Sequence, residues 1–371
     1  MTDKIRQLCR VIATGLAMML LAVAAASGRD ATKFPESEFP SATFDGLSGS
    51  LVWMDASGGK NTAARDTTIW RNFTDLTGVT MQADFIEDST KFLVMAEHGS
   101  PVPWSLLEFG GWGSCQRAAA LGYLEKIDAS KVPVDKLEGG SYNEYCISAM
   151  RSGAVLTYNT DKWPTSGEHP SDVVDLFDTK RFPGKRCLYK YPQFGAVLES
   201  ALLADGVTRD HLYPLDVERA LKKLDSIKGD IVWWTGGDQV MQLFQSGECD
   251  LGVVWSGRAF NAATKDGAHL AVSWKNAVLT TGAYAVPKNA PNAAAGQAAL
   301  AMWILDKAGQ RDYVRIMTYP TPIKGLGYPE DLAPWVPAGK NADLAIQEDA
   351  DFFSKNESTL ADQFNAWLLS K

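Results

Sequence analysis

The sequence predicts an α/β fold in which buried strands of a largely parallel sheet are each followed by a helix. The first observation is the stretch 247–260, GECDLGVVWSGRAF. Ahead of it Val240, Met241, Leu243 and Phe244 recur at helical spacing, and Gly247 suits the left-handed residue that ends a helix. The apolar run 251–255 then has the length of a buried strand and stops at Ser256 and Gly257, which read as a turn. The second observation is a similar unit near the start of the chain. Residues 51–54 form a strand, Asp55 to Gly59 a tight turn, and Ile69, Trp70, Phe73 and Leu76 lie on one helical stripe that stops at Gly78. The third is length, since 371 residues can bury a large core, or two. Open α/β sheets present ligand residues beyond the carboxyl ends of their strands, which places Trp255, Ser256 and Arg258 at such a rim.

The remaining elements follow in order. Residues 27–48 are polar and contain proline, and read as a leader ahead of the fold. Asn61 or Thr62 can cap the first helix. Residues 79–85 form a strand and 90–97 a short helix, and 106–113 ends in a glycine-rich loop with Trp112 in its middle. Residues 116–121 are helical, 146–159 a long apolar strand, and 124–128 resembles a short strand-like segment of a known family. Further on, 187–191 and 231–234 are strands, 193–203 and 220–227 helices, and Asp238 an N-cap after the turn Thr235-Gly236-Gly237. Residues 271–274 and 283–286 read as two strands, 298–306 and 313–317 as helices. The tail 351–369 carries Phe352, Phe353, Leu360, Phe364, Trp367 and Leu368.

The start of the chain predicts export. Lys4, Arg6 and Arg10 precede an uncharged, mostly apolar run, 11–26, that ends in small residues suited to cleavage near Ala26. Residues 1–26 therefore read as a signal peptide, with Cys9 lost alongside it. Removing three positive charges and one negative from a formal −8 leaves about −10. No basic patch appears, so nucleic acid is not an expected partner. Four cysteines remain, Cys115, Cys146, Cys187 and Cys249. In an exported chain an even number suggests two disulfides, with three connectivities open.

The pieces 51–59, 120–131, 180–184, 247–260, 284–289 and 319–322 carry a resemblance. A Gly-Glu pair, a strand ending in Trp255, a polar turn and a later Ala285-Val286-Pro287 resemble the polyamine-type branch of the periplasmic solute-binding proteins that serve ABC importers. The likeness runs roughly over 50–369. It implies a two-lobed periplasmic-binding-protein fold with the ligand in the inter-lobe cleft. Lobe one would comprise 49–157 plus 283–323, and lobe two 158–282 plus 324–371, with Tyr158-Asn159-Thr160 as a hinge and the tail packed on lobe two. Under that division Cys115–Cys146 falls in one lobe and Cys187–Cys249 in the other. The resemblance also implies a monomer that hands its ligand to permease subunits at the inner membrane.

Enzyme classes find little support. His98, His169, His211 and His269 sit in no metal or triad motif, and no nucleophile elbow, phosphate loop or dinucleotide fingerprint occurs. No cofactor is expected. A cleft site is expected from Asp55, Ser57, Gly58, Gly59, Trp112, Tyr191, Gln193, Trp234, Asp238, Trp255, Arg258 and Tyr284. Polyamine binders carry acids where this chain has Thr281-Gly282-Ala283 and residues 191–196, and burying a multiply charged amine without them is costly. Arg258 and the backbone N–H groups at 57–59 and 235–237 favour an anion, while Asp55, Asp238 and the tryptophans favour a cation. An amine-containing solute, polyamine-like or zwitterionic and amino-acid-like, meets both demands. The alternatives are an anionic solute such as a phosphonate, ferric iron held by Tyr189 and Tyr191, and an exported sensing domain without transport.

Overall fold

A computed structural model describes residues 30–86 and 89–370. The signal-peptide expectation for 1–26 lies outside the described residues. The strands are β1 (Ser50–Asp55), β2 (Thr80–Phe85), β3 (Leu106–Phe109), β4 (Ile147–Asn159), β5 (Arg186–Tyr189), β6 (Ile231–Trp234), β7 (Leu251–Trp255), β8 (Leu270–Ala285) and β9 (Ile346–Gln347). They join in one hydrogen-bonded path, β2-β1-β3-β8-β4-β7-β5-β6, with β9 beside β8. Both ends of the path are parallel, as β–α units require, and the middle is antiparallel where β3, β8, β4 and β7 meet.

The helices are α1 (Ser41–Phe44), α2 (Gly59–Thr67), α3 (Ile69–Thr77), α4 (Thr90–Glu97), α5 (Trp112–Ala120), α6 (Val197–Ala204), α7 (Val217–Leu224), α8 (Gly237–Gln245), α9 (Ser256–Thr264), α10 (Ala293–Leu305), α11 (Lys307–Met317), α12 (Lys340–Leu344) and α13 (Ala350–Leu369). The apolar stripe of α3 is buried as its spacing requires, and Gly78 closes it at φ 73° with its N–H on Thr74 O.

Two cores organise these elements. One gathers Trp53, Trp70, Phe73, Tyr284 and Trp303 around β1, α3 and α10. The other gathers Leu188, Leu198, Trp234, Val253 and Phe364 around β5, β7 and α6. Each disulfide sits beside one of them: Cys115–Cys146 spans 6.5 Å between Cα atoms beside the first, Cys187–Cys249 5.8 Å within the second. Strands β4 and β8 run through both halves. Met150 packs in the first core and Ala154 in the second, so β4 changes core a few residues ahead of Tyr158.

Several local readings change. Residues 30–48 are not a loose leader, because Phe34, Phe39 and Phe44 insert into the first core. The segments 271–274 and 283–286 are the two ends of the single strand β8. Beyond Leu124, which bridges to Pro287, no strand forms at 124–128. Trp112 opens α5 instead of sitting in mid-loop. The supposed turn after Trp255 is the first turn of α9. Gly257 is there for space: a Cβ would strike Met317 O and come within 2.6 Å of the Tyr319 ring. The tail is α13, which buries Phe353, Leu360, Phe364 and Trp367 in the second core. Its N-terminal half also reaches the first lobe through α5, with Ser114 Oγ donating to Glu357 Oε1 at 2.8 Å and Arg117 to Ser358 at 2.7 Å.

Candidate functional site

The cleft floor begins with the turn after β1. Asp55 is fully buried beneath it and accepts the backbone N–H of Ser57 at 2.9 Å, that of Gly58 at 3.2 Å, and the Thr62 hydroxyl. Glu108 on β3 accepts the Ala56 N–H at 3.0 Å and the Ser57 hydroxyl at 2.8 Å. Arg65 on α2 lies between the two acids, 2.9 Å from Glu108, and also donates to the Tyr284 hydroxyl at 2.6 Å. Burial pushes Glu108 up to about 7 against the pull of Arg65. Burial pushes Asp55 the same way, but Arg65, Thr62 and the turn amides outweigh it and hold Asp55 below its ordinary value. Of the turn amides expected to attract an anion, those of Ser57 and Gly58 are therefore occupied from below by Asp55.

From the other side comes β7 with α9. Trp255 ends the strand, its ring 5.0 Å from Trp234 and 5.2 Å from Tyr189, and its indole N–H donates to Phe194 O at 2.8 Å. Arg258 lies one turn into α9 and is almost completely buried. Its Nη1 pairs with Asp238 at 2.7 Å, while Nη2 donates to Ser57 O and Gly58 O, both at 2.9 Å. Its Nε has no protein partner. Arg258 thus ties the two lobes across the cleft. The Lys60 N–H, which donates to Asp238 at 3.2 Å, adds a second link. Behind α9, burial pushes Tyr319 up to about 12, and its hydroxyl accepts the Gly257 and Arg258 amides.

Between these surfaces lies a cavity of about 50 Å³. In this measure a water needs roughly 10–15 Å³, so the space suits a ligand of few atoms. It is walled by Tyr189, Phe194, Trp255, Met150 and Tyr319, with Ser57, Asn61, Ser152 and Thr280 as polar lining. Arg258 is the one charged side chain in that lining, and no carboxylate belongs to it. The Thr280 hydroxyl is buried and unpartnered.

Residues 68–340 match the family model described as bacterial extracellular solute-binding protein. The chain is 28% identical over 322 residues to the gamma-aminobutyric acid-binding protein of Pseudomonas aeruginosa, spanning 84% of this chain and 88% of that one. It is 24% identical over 251 residues to the spermidine/putrescine-binding periplasmic protein of Salmonella typhimurium, covering 64% and 67%. Among solved structures, the GABA receptor Atu4243 superposes with a TM-score of 0.77 at 31% identity, over 87% of this chain and 98% of that one. The chain belongs to the bacterial extracellular solute-binding proteins. It is the substrate-binding component of an ABC transporter, with the two-lobed fold of that family.

In this binding protein Ser57, Trp255 and Arg258 reach the cavity, as their positions at strand ends suggested. Other residues expected at the site lie elsewhere. Asp55 is under the floor, and Tyr284 is fully buried in the first core on Arg65. Trp234 is fully buried behind Tyr189, 4.6 Å between ring centres, and Tyr191 packs against the same ring at 5.1 Å. Trp112 packs at the start of α5 against a smaller cluster with Phe92, Trp104 and Phe109, and Gln193 is buried without lining the cavity. Asp238 pairs with Arg258 at the outer edge of the cleft. Gly58 and Gly59 adopt φ of 62° and 56°, and a Cβ on Gly59 would collide with Asp238. The N–H groups of Thr235 and Gly236 go to Gln239 Oε1. Sequence reasoning did not single out Asn61, Gly110, Met150, Ser152, Phe194, Thr280 or Tyr319 for the site. Ser152 and Thr280 carried a signal in hindsight, as small hydroxyls on the two strands that cross between lobes, opposite one another in register.

Proposed function

We propose that the protein captures a small zwitterion, an amine joined to a carboxylate by a short chain, and delivers it to its permease. One observation carries this reading: the cavity lining has Arg258 as its single charge and no carboxylate, while aromatic faces of Trp255, Tyr189 and Phe194 make up much of the wall. A guanidinium suits the carboxylate end, and aromatic faces attract an ammonium by roughly 0.5–2 kcal/mol each. Asp55 and Glu108 below the Ser57 turn stay out of the cavity and are offset by Arg65 between them, so the ammonium end relies on the aromatic wall. The relatives named for gamma-aminobutyric acid support the same class. A spermidine-type ligand is disfavoured, because two or three ammonium groups would be desolvated beside Arg258 with no acid to pair with. The residues we assign to ligand contact are Ser57, Trp255 and Arg258, joined by Tyr189, Phe194, Ser152 and Thr280.

In this reading the protein is exported with residues 1–26 removed, acts as a monomer, and carries out no chemistry on its ligand. Its lobes move as two bodies that meet in β4 between Met150 and Ala154 and in β8 between Val278 and Ala283, with Phe34, Phe39 and Phe44 carried by the first. The test is a thermal-shift screen of refolded, ligand-free protein against γ-aminobutyrate, putrescine, spermidine and a phosphonate. A ligand at 100 times its dissociation constant should raise stability by roughly 2.7 kcal/mol. The expected hit is γ-aminobutyrate. A shift with spermidine alone overturns the zwitterion reading, and turnover of the bound ligand overturns the non-enzymatic one.

A further inference from the structure

The segment between β5 and α6 holds Phe194 in an unusual way. Phe194 and Ala196 have φ of 61° and 51°, a left-handed backbone that side chains with a Cβ rarely adopt unless their surroundings enforce it. The enforcing groups are all in the second lobe. The Phe194 carbonyl accepts the Trp255 indole N–H at 2.8 Å, and its amide is hydrogen-bonded to the Glu348 carboxyl just after β9. The ring, however, enters the first lobe. It lies in a notch made by Gly110 and Gly111, where a Cβ on Gly110 would come within 3.2 Å of the ring and one on Gly111 would run into it. Neither glycine has a left-handed φ, so backbone freedom does not explain them. The space taken by the Phe194 ring does. The same ring forms one wall of the cavity.

We propose that Phe194 is the length gauge of the ligand site. Its ring, set into the Gly110–Gly111 notch as the lobes meet, ends the cavity on that side. Short ω-amino carboxylates then fit and longer ones prevent closure. This rests on the zwitterion reading above and adds to it which chain length is accepted and which residue decides. Truncating the ring should open the notch to the ligand. The Trp255 and Glu348 bonds involve only the Phe194 backbone, so the segment keeps its anchors in such a variant.

The experiment is titration calorimetry of the full-length mature protein with β-alanine, γ-aminobutyrate, 5-aminopentanoate and 6-aminohexanoate, on the unsubstituted protein, Phe194→Ala and Phe194→Leu. Each added methylene changes affinity by about tenfold or more where a pocket wall resists it. The unsubstituted protein is expected to favour the three- or four-carbon ligand over the six-carbon one by at least that factor. Phe194→Ala should lose affinity for γ-aminobutyrate, gain it for 6-aminohexanoate, and so reverse the ratio. Phe194→Leu, which keeps most of the packing, should move the optimum by about one methylene in the same direction. A uniform loss at every length, with the unfolding temperature of the free variants unchanged, shows that Phe194 contributes to closure without discriminating length and overturns the gauge. A flat length profile in the unsubstituted protein overturns it as well. If the folded, unsubstituted protein binds none of the four, the amino-carboxylate reading itself fails, and the gauge falls with it.

Discussion

Replacing Arg258 by alanine separates its two roles. In the closed arrangement its Nη2 donates to Ser57 O and Gly58 O, both 2.9 Å away on the opposite lobe. A hydrogen bond from a charged donor contributes about 1.5–3 kcal/mol. Since one nitrogen serves both carbonyls, about 2 kcal/mol of closure energy is the reasonable loss. The Asp238 partner adds little, because its side chain is 42% exposed and rehydrates when unpaired. A ligand carboxylate left without its cation costs a further ~2 kcal/mol or so. For γ-aminobutyrate the total is roughly 4 kcal/mol, near a thousandfold in affinity. For putrescine, which has no carboxylate, only the closure part applies, roughly 30-fold, and relief of cation repulsion reduces it further. Arg258→Lys should recover only part of the γ-aminobutyrate loss, since a single ammonium keeps the charge but cannot serve Asp238, the Ser57 and Gly58 carbonyls and the ligand together. Calorimetric titration of γ-aminobutyrate, with putrescine measured by competition, gives both numbers. Equal losses for the two ligands would make Arg258 a lobe tie and nothing more, and no loss for either would refute both roles.

Three further outcomes are expected. Glu199 is buried with Tyr213 donating to it at 2.9 Å, and it faces Glu348, with no ion pair to it among the described residues. Burial pushes it up to about 7, so folding favours its protonated form, and its contribution to stability is complete below about 4.5 and lost as pH rises through about 7. Glu199→Gln should flatten the fall in denaturant stability between those values and make the variant the more stable protein above pH 7, whereas parallel curves would contradict the assignment. Breaking Cys187–Cys249 by double serine substitution removes a closure spanning 62 residues, and Cys115–Cys146 one spanning 31. Chain entropy puts each loss at about 4 kcal/mol, measurable as a shift of the denaturant midpoint. Glu357→Ala removes the α13 contacts to Ser114 and Arg117 of the first lobe. Affinity should fall by about fivefold, with the unfolding temperature of the free protein unchanged, if these bonds form only on closure. An equal drop in both would place them in the open form too.

The β–α units and the burial of the α3 stripe were legible because each depends on periodicity or on the order of the chain, whereas the cysteine pairs followed only from the lobe division that the family resemblance implied. Trp255 and Arg258 were legible for a related reason: a short apolar run ended by polar residues marks the end of a strand. Tyr284 and Trp234 show where such reading stops. Both are aromatic residues near strand ends, yet Tyr284 faces Arg65 in the core and Trp234 backs Tyr189. Which side of a strand an aromatic ring takes is set by neighbours distant in sequence.

By itself the sequence determined an α/β chain with one rim at Trp255 and another at the turn after β1, since local spacing and composition govern both. Only the tertiary structure decided what those rims do. It turned the amides at 56–58 inward onto Asp55 and Glu108, spread Arg258 between two lobes, and set Phe194 against Gly110 and Gly111. Each of these contacts joins residues more than fifty positions apart, except the two bonds Asp55 accepts within its own turn and the Arg258–Asp238 pair. Their partners are chosen by how β4 and β8 fold one lobe against the other, and no local pattern records that choice.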